Sequence, residues 1–350
     1  MIKKVKIEEA VGMILAHDVT KVVPGKFKGP AFHRGHIIRE EDIPEFRSIG
    51  KEHFYVLELE KGEIHEEEAA LRIARAITGS GLRLSKPHEG RVDLIAEQTG
   101  LLKINVAALD EINSLGDIII ATIYDNTVCQ KGAVVAGTRI IPLYIHNGQL
   151  IKSEQIAKQH EPIISLVPMK PSSISIIITG NEVFKGQIQD GFFPLLQKKA
   201  KALDCVINNQ VIVPDDSDAI ARAILEFEAS GSEIVLCCSG MSKDPDDITP
   251  EGIRKSGAQV YFYGLPVPPG AMSLYAKLNQ MHILGVPACF LYAPTTAFDI
   301  LLPRILTGEE LTFIETRKLG HGGLCLKNLE CAGVPAPPSQ NVNPILSKSE

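Results

Sequence analysis

The sequence predicts an α/β protein: a doubly wound, mostly parallel sheet preceded by smaller α+β and β-rich domains. Three observations carry that expectation. From Ile174 onward, short β-branched runs alternate with helical patterns, as in right-handed βαβ crossovers that cover both faces of a sheet. Between Leu82 and His146, short apolar runs follow one another with turn residues between them, the spacing of a compact β-rich unit. The 350 residues also exceed one ordinary domain.

Composition narrows the class. Apolar residues make up 45% and charged residues 22%, the balance of a soluble protein, and a net charge of −6 offers no general attraction to nucleic acid or to an anionic membrane. No basic segment leads into an apolar one at the N-terminus, and no apolar run approaches the roughly 20 residues of a bilayer span, so a cytoplasmic location is expected. The seven cysteines match no metal template. Cys237 and Cys238 follow the apolar Ile234-Val235-Leu236, where one thiol would face each side of a buried strand, a core role favoured over redox chemistry.

Taken in order, residues 1–80 read as a small α+β unit. Its helical pattern over Ile7–Leu15 is followed by an extended Val19–Val23, a short helix at Ile43–Ile49 stopped by Gly50, and a strand at His53–Leu57. Glu66–Ile77 places Ala69, Ala70, Ile73, Ala76 and Ile77 on one face behind an acidic first turn, a clear amphipathic helix. Residues 81–147 form the β-rich part, with strands expected at Val92–Ile95, Leu101–Val106, Ile118–Ile123, Ala133–Gly137 and Ile140–Ile145. Residues 148–173, with Pro162, Pro168 and Pro171, read as a linker carrying a short helix at Ser153–His160. Within 174–320 the expected order is strand Ile174–Thr179, helix Phe192–Leu203, strand Cys205–Val213, helix Ser217–Ala229, strand Glu233–Cys238, helix Thr249–Ser256, strand Gln259–Tyr263 and helix Thr295–Ile305. Residues 321–350 are polar and proline-rich, the composition of a disordered tail.

Chemistry is expected where the strands end. Thr179-Gly180-Asn181-Glu182, Pro214-Asp215-Asp216 and Ser239-Gly240-Met241-Ser242, running on to Asp247-Ile248-Thr249, fall at the carboxyl ends of successive strands, the edge where open α/β sheets bind ligands. Oxygen ligands from Glu182, Asp215 and Asp247 suit Mg²⁺, and the Ser239–Ser242 loop offers amides and hydroxyls to an anion. A plainer role also fits, with Asp216 and Asp247 capping the helices that follow. His33 and His36 read as an exposed turn rather than a metal pair, and His321 lies in a flexible segment.

These loops carry a resemblance. Thr179-Gly180-Asn181-Glu182 with Gly186-Gln187-Ile188-Gln189-Asp190, then Pro214-Asp215-Asp216, Ser239-Gly240-Met241-Ser242 with Asp246-Asp247-Ile248-Thr249, and Pro269-Gly270 are similar to the ordered motifs of the molybdopterin-binding domain family. That family is shared by molybdenum insertases, their adenylyltransferase relatives and the competence-damage-inducible proteins. The N-terminal half resembles the insertases only loosely, through Val11–Asp18 and Arg34–Ile43. The resemblance implies a domain that binds molybdopterin or its adenylated form and works in molybdenum cofactor biosynthesis as a homodimer, with molybdoenzymes or other biosynthetic proteins as partners. It implies catalytic and metal-binding roles for Glu182, Asp215 and Asp247, with Mg²⁺ and molybdate. It implies ligand contacts from Thr179, Gly180, Asn181, Asp190, Ser239, Gly240, Met241, Ser242, Pro269, Gly270 and Pro287.

The chain departs from the insertase pattern in three places. Gly285-Val286-Pro287-Ala288-Cys289-Phe290 stands where the family has G-x-P-G-N-P, the N-terminal S-A-M-D-G-Y-A motif has no counterpart near Pro24–Phe32, and little chain follows Gly308 to build a C-terminal barrel. Three readings follow: Mg²⁺-dependent insertion of molybdate, a carrier that binds the pterin without turnover, and, more distantly, a pyrophosphatase like the competence-damage-inducible proteins.

Overall fold

A computed structural model describes residues 2–13, 15–23, 27–57 and 62–326. The chain divides into two compact units that share it in alternation: residues 1–97, 104–122 and 131–165 belong to the first, residues 98–103, 123–130 and 166 onward to the second. No helix among the described residues is long and apolar enough to cross a membrane.

In the first unit the amphipathic helix forms over Glu66–Ile77 and buries Ala69, Ala70, Ile73, Ala74 and Ile77. It packs on an antiparallel sheet whose strands run Leu82–Leu84, Arg91–Ala96, Val134–Ile140 and Ile118–Thr122 in spatial order. His65 caps the helix: its Nδ1 accepts from Glu67 N at 3.3 Å while its Nε2 donates to the Ala16 carbonyl at 2.8 Å, a pairing that fixes the neutral tautomer. A smaller core gathers Phe32, Phe46 and Phe54, with ring centroids 4.0 and 4.5 Å apart.

Several elements differ from expectation. The helix expected at Ile7–Leu15 is one 3₁₀ turn, Ile7–Ala10, because Gly12 (φ +83°) turns the chain away. The run expected as a strand over Leu101–Val106 splits into strand Gly100–Ile104 and helix Val106–Asn113, capped by Asn105 Oδ1 on Ala108 N at 3.2 Å. The strand expected at Ala133–Gly137 runs Val134–Ile140, leaving only Tyr144–His146 as a separate strand. The short helix at Ser153 begins earlier and runs Asn147–Gln159, docked by a two-pronged Arg72–Glu154 pair at 2.8 and 2.9 Å.

The second unit holds the doubly wound sheet. Its strands are β1 (Ser173–Thr179), β2 (Val206–Val213), β3 (Ile234–Cys238), β4 (Gln259–Tyr263), β5 (Leu274–Leu278) and β6 (Met281–Val286); the main helices are α1 (Phe192–Ala202), α2 (Ser217–Ala229), α3 (Thr249–Lys255) and α4 (Ala297–Leu306). The spatial order is β2-β1-β3-β6-β5-β4, with β2-β1-β3-β6 parallel and β6-β5-β4 antiparallel. The β5-β6 hairpin was not expected.

Alternation along β1 builds both layers. Ile174, Ile176 and Ile178 join Leu196 of α1 and Leu301 of α4 on one face, and Ile177 joins Ile220 of α2 and Ile253 of α3 on the other. Cys237 and Cys238 divide between the same two layers, both fully buried, and burial pushes the Cys237 thiol up to about 12. Such thiols are inert fillers.

Asp216 Oδ1 caps α2 by accepting from Ala219 N at 2.8 Å. Asp216→Ala is expected to cost about 1 kcal/mol of stability in urea unfolding, with no change in ligand affinity. Strand Gly100–Ile104 pairs antiparallel with Val128–Cys129, and Lys103 reaches Glu309 and Asn126. Glu309 in turn binds Arg304, which is only 4% exposed. Residues 321–326 end in a 3₁₀ turn at Gly323–Leu326, and the rest of the expected tail lies outside the described residues.

Candidate functional site

A cleft of about 420 Å³ opens where β3 and β6 end. Its walls are the Ser239–Ser242 loop with Asp247, the Pro268–Met272 turn before β5, and Pro287–Cys289 after β6. The first wall is shaped by its supports. Ser239 (φ +75°) and Gly240 (φ +61°) both take left-handed backbone, sparsely populated for serine. Ser239 N donates to Val286 O at 3.0 Å, which ties the loop to β6. Below Gly240, the Thr179 and Thr249 hydroxyls meet at 3.1 Å, and a Cβ on Gly240 would collide with Thr249 Oγ1.

The loop carbonyls are taken up away from the turn. Gly240 O accepts from Thr249 N at 3.2 Å, and Tyr263 OH, at the end of β4, donates to Met241 O at 2.7 Å and Ser242 O at 3.1 Å. Because a trans peptide points its N–H opposite its C=O, the Met241 N–H is directed away from Thr249. Ser242 N donates to Asp247 Oδ2 at 3.0 Å, so Asp247 holds the loop as well as lining the cleft. Burial and the Asp247 charge push the Tyr263 phenol up, keeping it a donor. The Met241 side chain is buried and occupies the space above Gly285: a Cβ there would lie 2.5 Å from Met241 Cε and 3.0 Å from Sδ.

Eight of the residues expected at the site line this cleft: Ser239, Gly240, Met241, Ser242, Asp247, Pro269, Gly270 and Pro287. The others stand elsewhere. Thr179 is buried beneath the loop. Asp215 Oδ2 accepts from Asn181 N at 2.9 Å, joining the ends of β2 and β1, with Gly180 (φ +144°) and the exposed Glu182 on either side of Asn181. Asp190 accepts from Phe192 N at 2.7 Å and Phe193 N at 3.1 Å, capping α1. Among the described residues no three His, Cys, Asp or Glu side chains form a group that could hold a metal ion.

Sequence reasoning missed Tyr263 and Met272. An aromatic with a polar tip at a strand end is the signal that would have found Tyr263. Cys289 also lines the cleft, its thiol pushed up by burial while the Gly270 and Cys289 backbone N–H groups pull the other way. A second hollow, about 450 Å³, lies at the opposite edge of the sheet, but its Glu233 is engaged by Ser173 N at 2.8 Å and its His282 by Tyr275 OH at 2.8 Å. In parallel sheets of this kind the carboxyl edge is the ligand edge, which favours the first cleft.

A doubly wound sheet with such a cleft defines a small-ligand-binding α/β domain. Residues 175–307 match a family described as a probable molybdopterin binding domain, and this stretch is a domain of that family with a divergent N-terminal part before it. Residues 4–58 match a family described as a domain of unknown function (DUF8806). Among curated relatives, the chain is 24% identical over 180 residues to a molybdopterin molybdenumtransferase of Synechococcus elongatus, covering 49% of this chain and 42% of that protein. It is 33% identical over 78 residues to a CinA-like protein of Anaeromyxobacter dehalogenans, covering 22% of this chain and 19% of that one. The match spans less than half the length of either relative. Similar solved structures include the molybdopterin biosynthesis enzyme MoaB from Thermus thermophilus (18% identity, 39% of this chain, 98% of that one, TM-score 0.33). The molybdopterin biosynthesis MoeA protein from Pyrococcus horikoshii is another (14% identity, 88% of this chain, 75% of that one, TM-score 0.33).

Proposed function

We propose that this protein binds molybdopterin, free or adenylated, in the cleft at the ends of β3 and β6, and serves molybdenum cofactor biosynthesis as a cofactor-binding protein. The observation that carries the reading is the Ser239–Ser242 loop, held by Thr249, Tyr263 and Asp247 in a domain of the molybdopterin-binding family. A strained, well-buttressed loop at a strand end suits the phosphate of such a ligand.

A second reading, Mg²⁺-dependent insertion of molybdate, is favoured by Asp247 beside the cleft and by Asp215 and Glu182 at the neighbouring strand ends. Mg²⁺ is commonly bound through one or two carboxylates together with substrate phosphates, so Asp247, with a ligand phosphate, would be the residue that holds it. Bound there, the ion would neutralise phosphate charge. A cytoplasmic homodimer is part of either reading.

Asp247→Ala is expected to weaken molybdopterin binding about tenfold, the loss of a charge-assisted hydrogen bond that fixes the loop. Calorimetric titration with molybdopterin measures it, and unchanged affinity would sink this placement of the site. Adenylated molybdopterin, molybdate and Mg²⁺ then separate the two readings. AMP release that disappears in Glu182→Ala and Asp215→Ala, with binding intact, supports insertion; binding without AMP leaves the carrier.

A further inference from the structure

Two walls of the cleft converge on one buried ion pair that no expected site residue includes. Lys199 of α1 and Asp299, in the first turn of α4, form a salt bridge in which each side chain is 9% exposed. The same ammonium donates to Pro294 O at 2.9 Å and lies 5.5 Å from the Phe290 ring centroid. Both contacts fall on the chain that continues from the Pro287–Cys289 wall. Asp299 Oδ2 accepts from Thr296 N at 2.8 Å, and Thr296 Oγ1 accepts from Phe298 N at 3.3 Å, a reciprocal cap that sets the start of α4. From that start, Ala297 N donates to Pro269 O at 2.9 Å, and Gly270 presses against Ala297. The Pro268–Met272 wall therefore rests on the same pair.

A buried ion pair adds little net stability, because desolvation of both charges offsets their attraction. What it can supply is geometry: an ammonium with three donors, shared between a carboxylate, a carbonyl and a ring face, admits few arrangements of those three groups. Neither side chain lines the cleft. We propose that Lys199 and Asp299 are positioning residues that set the spacing of the Pro268–Met272 and Pro287–Cys289 walls, and so the width available to the ligand. The inference builds on the reading of this cleft as pterin-binding, and its test keeps the two apart.

Lys199→Met alone strands a buried carboxylate and threatens folding. The double variant Lys199→Met/Asp299→Asn removes both charges, and the carboxamide oxygen that replaces the carboxylate can still accept from Thr296 N, so the cap survives while the tether to Pro294 is lost. The wall is read without ligand by the rate at which Cys289 reacts with iodoacetamide, resolved by mass spectrometry, with the fully buried Cys237 reporting global opening. Cys289 is expected to react about tenfold faster in the double variant with Cys237 unchanged, the signature of local opening. Molybdopterin is expected to bind about tenfold more weakly. Equal Cys289 rates in wild type and variant overturn the inference, as does a Cys237 rate that rises in parallel, which would place the effect in global stability. Failure of the wild type to bind molybdopterin would instead sink the proposed function, with the Cys289 comparison still deciding the positioning role.

Discussion

Replacing Gly270 with alanine is expected to destabilise the second unit by about 3 kcal/mol, lowering its melting temperature by about 6–12 °C. Gly270 has φ +113°, a conformation that side chains disfavour. Its missing Cβ would also fall 2.6 Å from Ala297 Cβ, 2.7 Å from Ala297 N and 3.2 Å from its Cα. Two of those three atoms are backbone in a capped first turn, so no rotamer change relieves the clash. Gly231→Ala is the control: φ is +80°, but nothing lies within 4 Å of the added atom, so only backbone strain of about 1 kcal/mol is expected. Thermal unfolding of both variants measures the difference, and equal losses would show that the contact with α4 is not tight.

Arg304→Met is expected to cost about 2 kcal/mol at neutral pH, because the partly buried Glu309 carboxylate loses its main partner and keeps only Lys103. Arg304 Nε donates to Glu309 Oε1 at 3.0 Å and Nη2 to Glu315 Oε2 at 3.0 Å, from a side chain 5% exposed. Burial pushes the Glu309 carboxyl up, but hydrogen bonds from Arg304 and Lys103 more than offset it, and its pKa lies below the ordinary 4.5. The folded state therefore holds Glu309 ionised more firmly than the unfolded chain does. That contribution is complete above the unfolded value and is lost as pH falls through the lowered folded value. In the variant, Glu309 loses its main partner and takes up a proton more readily. Urea unfolding at pH 7 and near pH 4 should show the gap between wild type and variant narrowing in acid, and parallel pH profiles would contradict this account.

The sequence was most legible where period and environment agree. Ile174–Thr179 is apolar throughout because both faces of β1 are covered, and Cys237 and Cys238 divide between those faces as the pleat requires. Helix α2 and its Asp216 cap were equally plain. The β5-β6 hairpin was hidden because Lys277, Asn279 and Gln280 interrupt its apolar run. Its turn, with Asn279 at φ +52°, breaks the strand-helix alternation that identified everything before it. Helix Val106–Asn113 was lost because its first residue was absorbed into the strand expected over Leu101–Val106, although Asn105 before it was a readable cap.

The site was half legible for a topological reason. Acids at strand ends can be read from sequence, but their neighbours depend on strand order. In β2-β1-β3-β6, Asp215 and Glu182 follow β2 and β1, whereas the cleft opens at β3 and β6. Asp247 alone of the three acids reaches the lining.

Alternation of the chain between its two units bears on how the protein comes to be made. Lys103 and its partner Glu309 are 206 residues apart, and residues 98–103 and 123–130 join a unit whose sheet begins at Ser173. Contacts this distant in sequence form slowly, since closure of the intervening chain precedes any gain from them. On a ribosome delivering residues in order, the Lys103 segment would wait for α4 and Glu309 before its charge is matched. A fragment beginning at residue 173 would carry the whole cleft yet leave Glu309 with Arg304 alone, a cost that falls on folding yield rather than on chemistry.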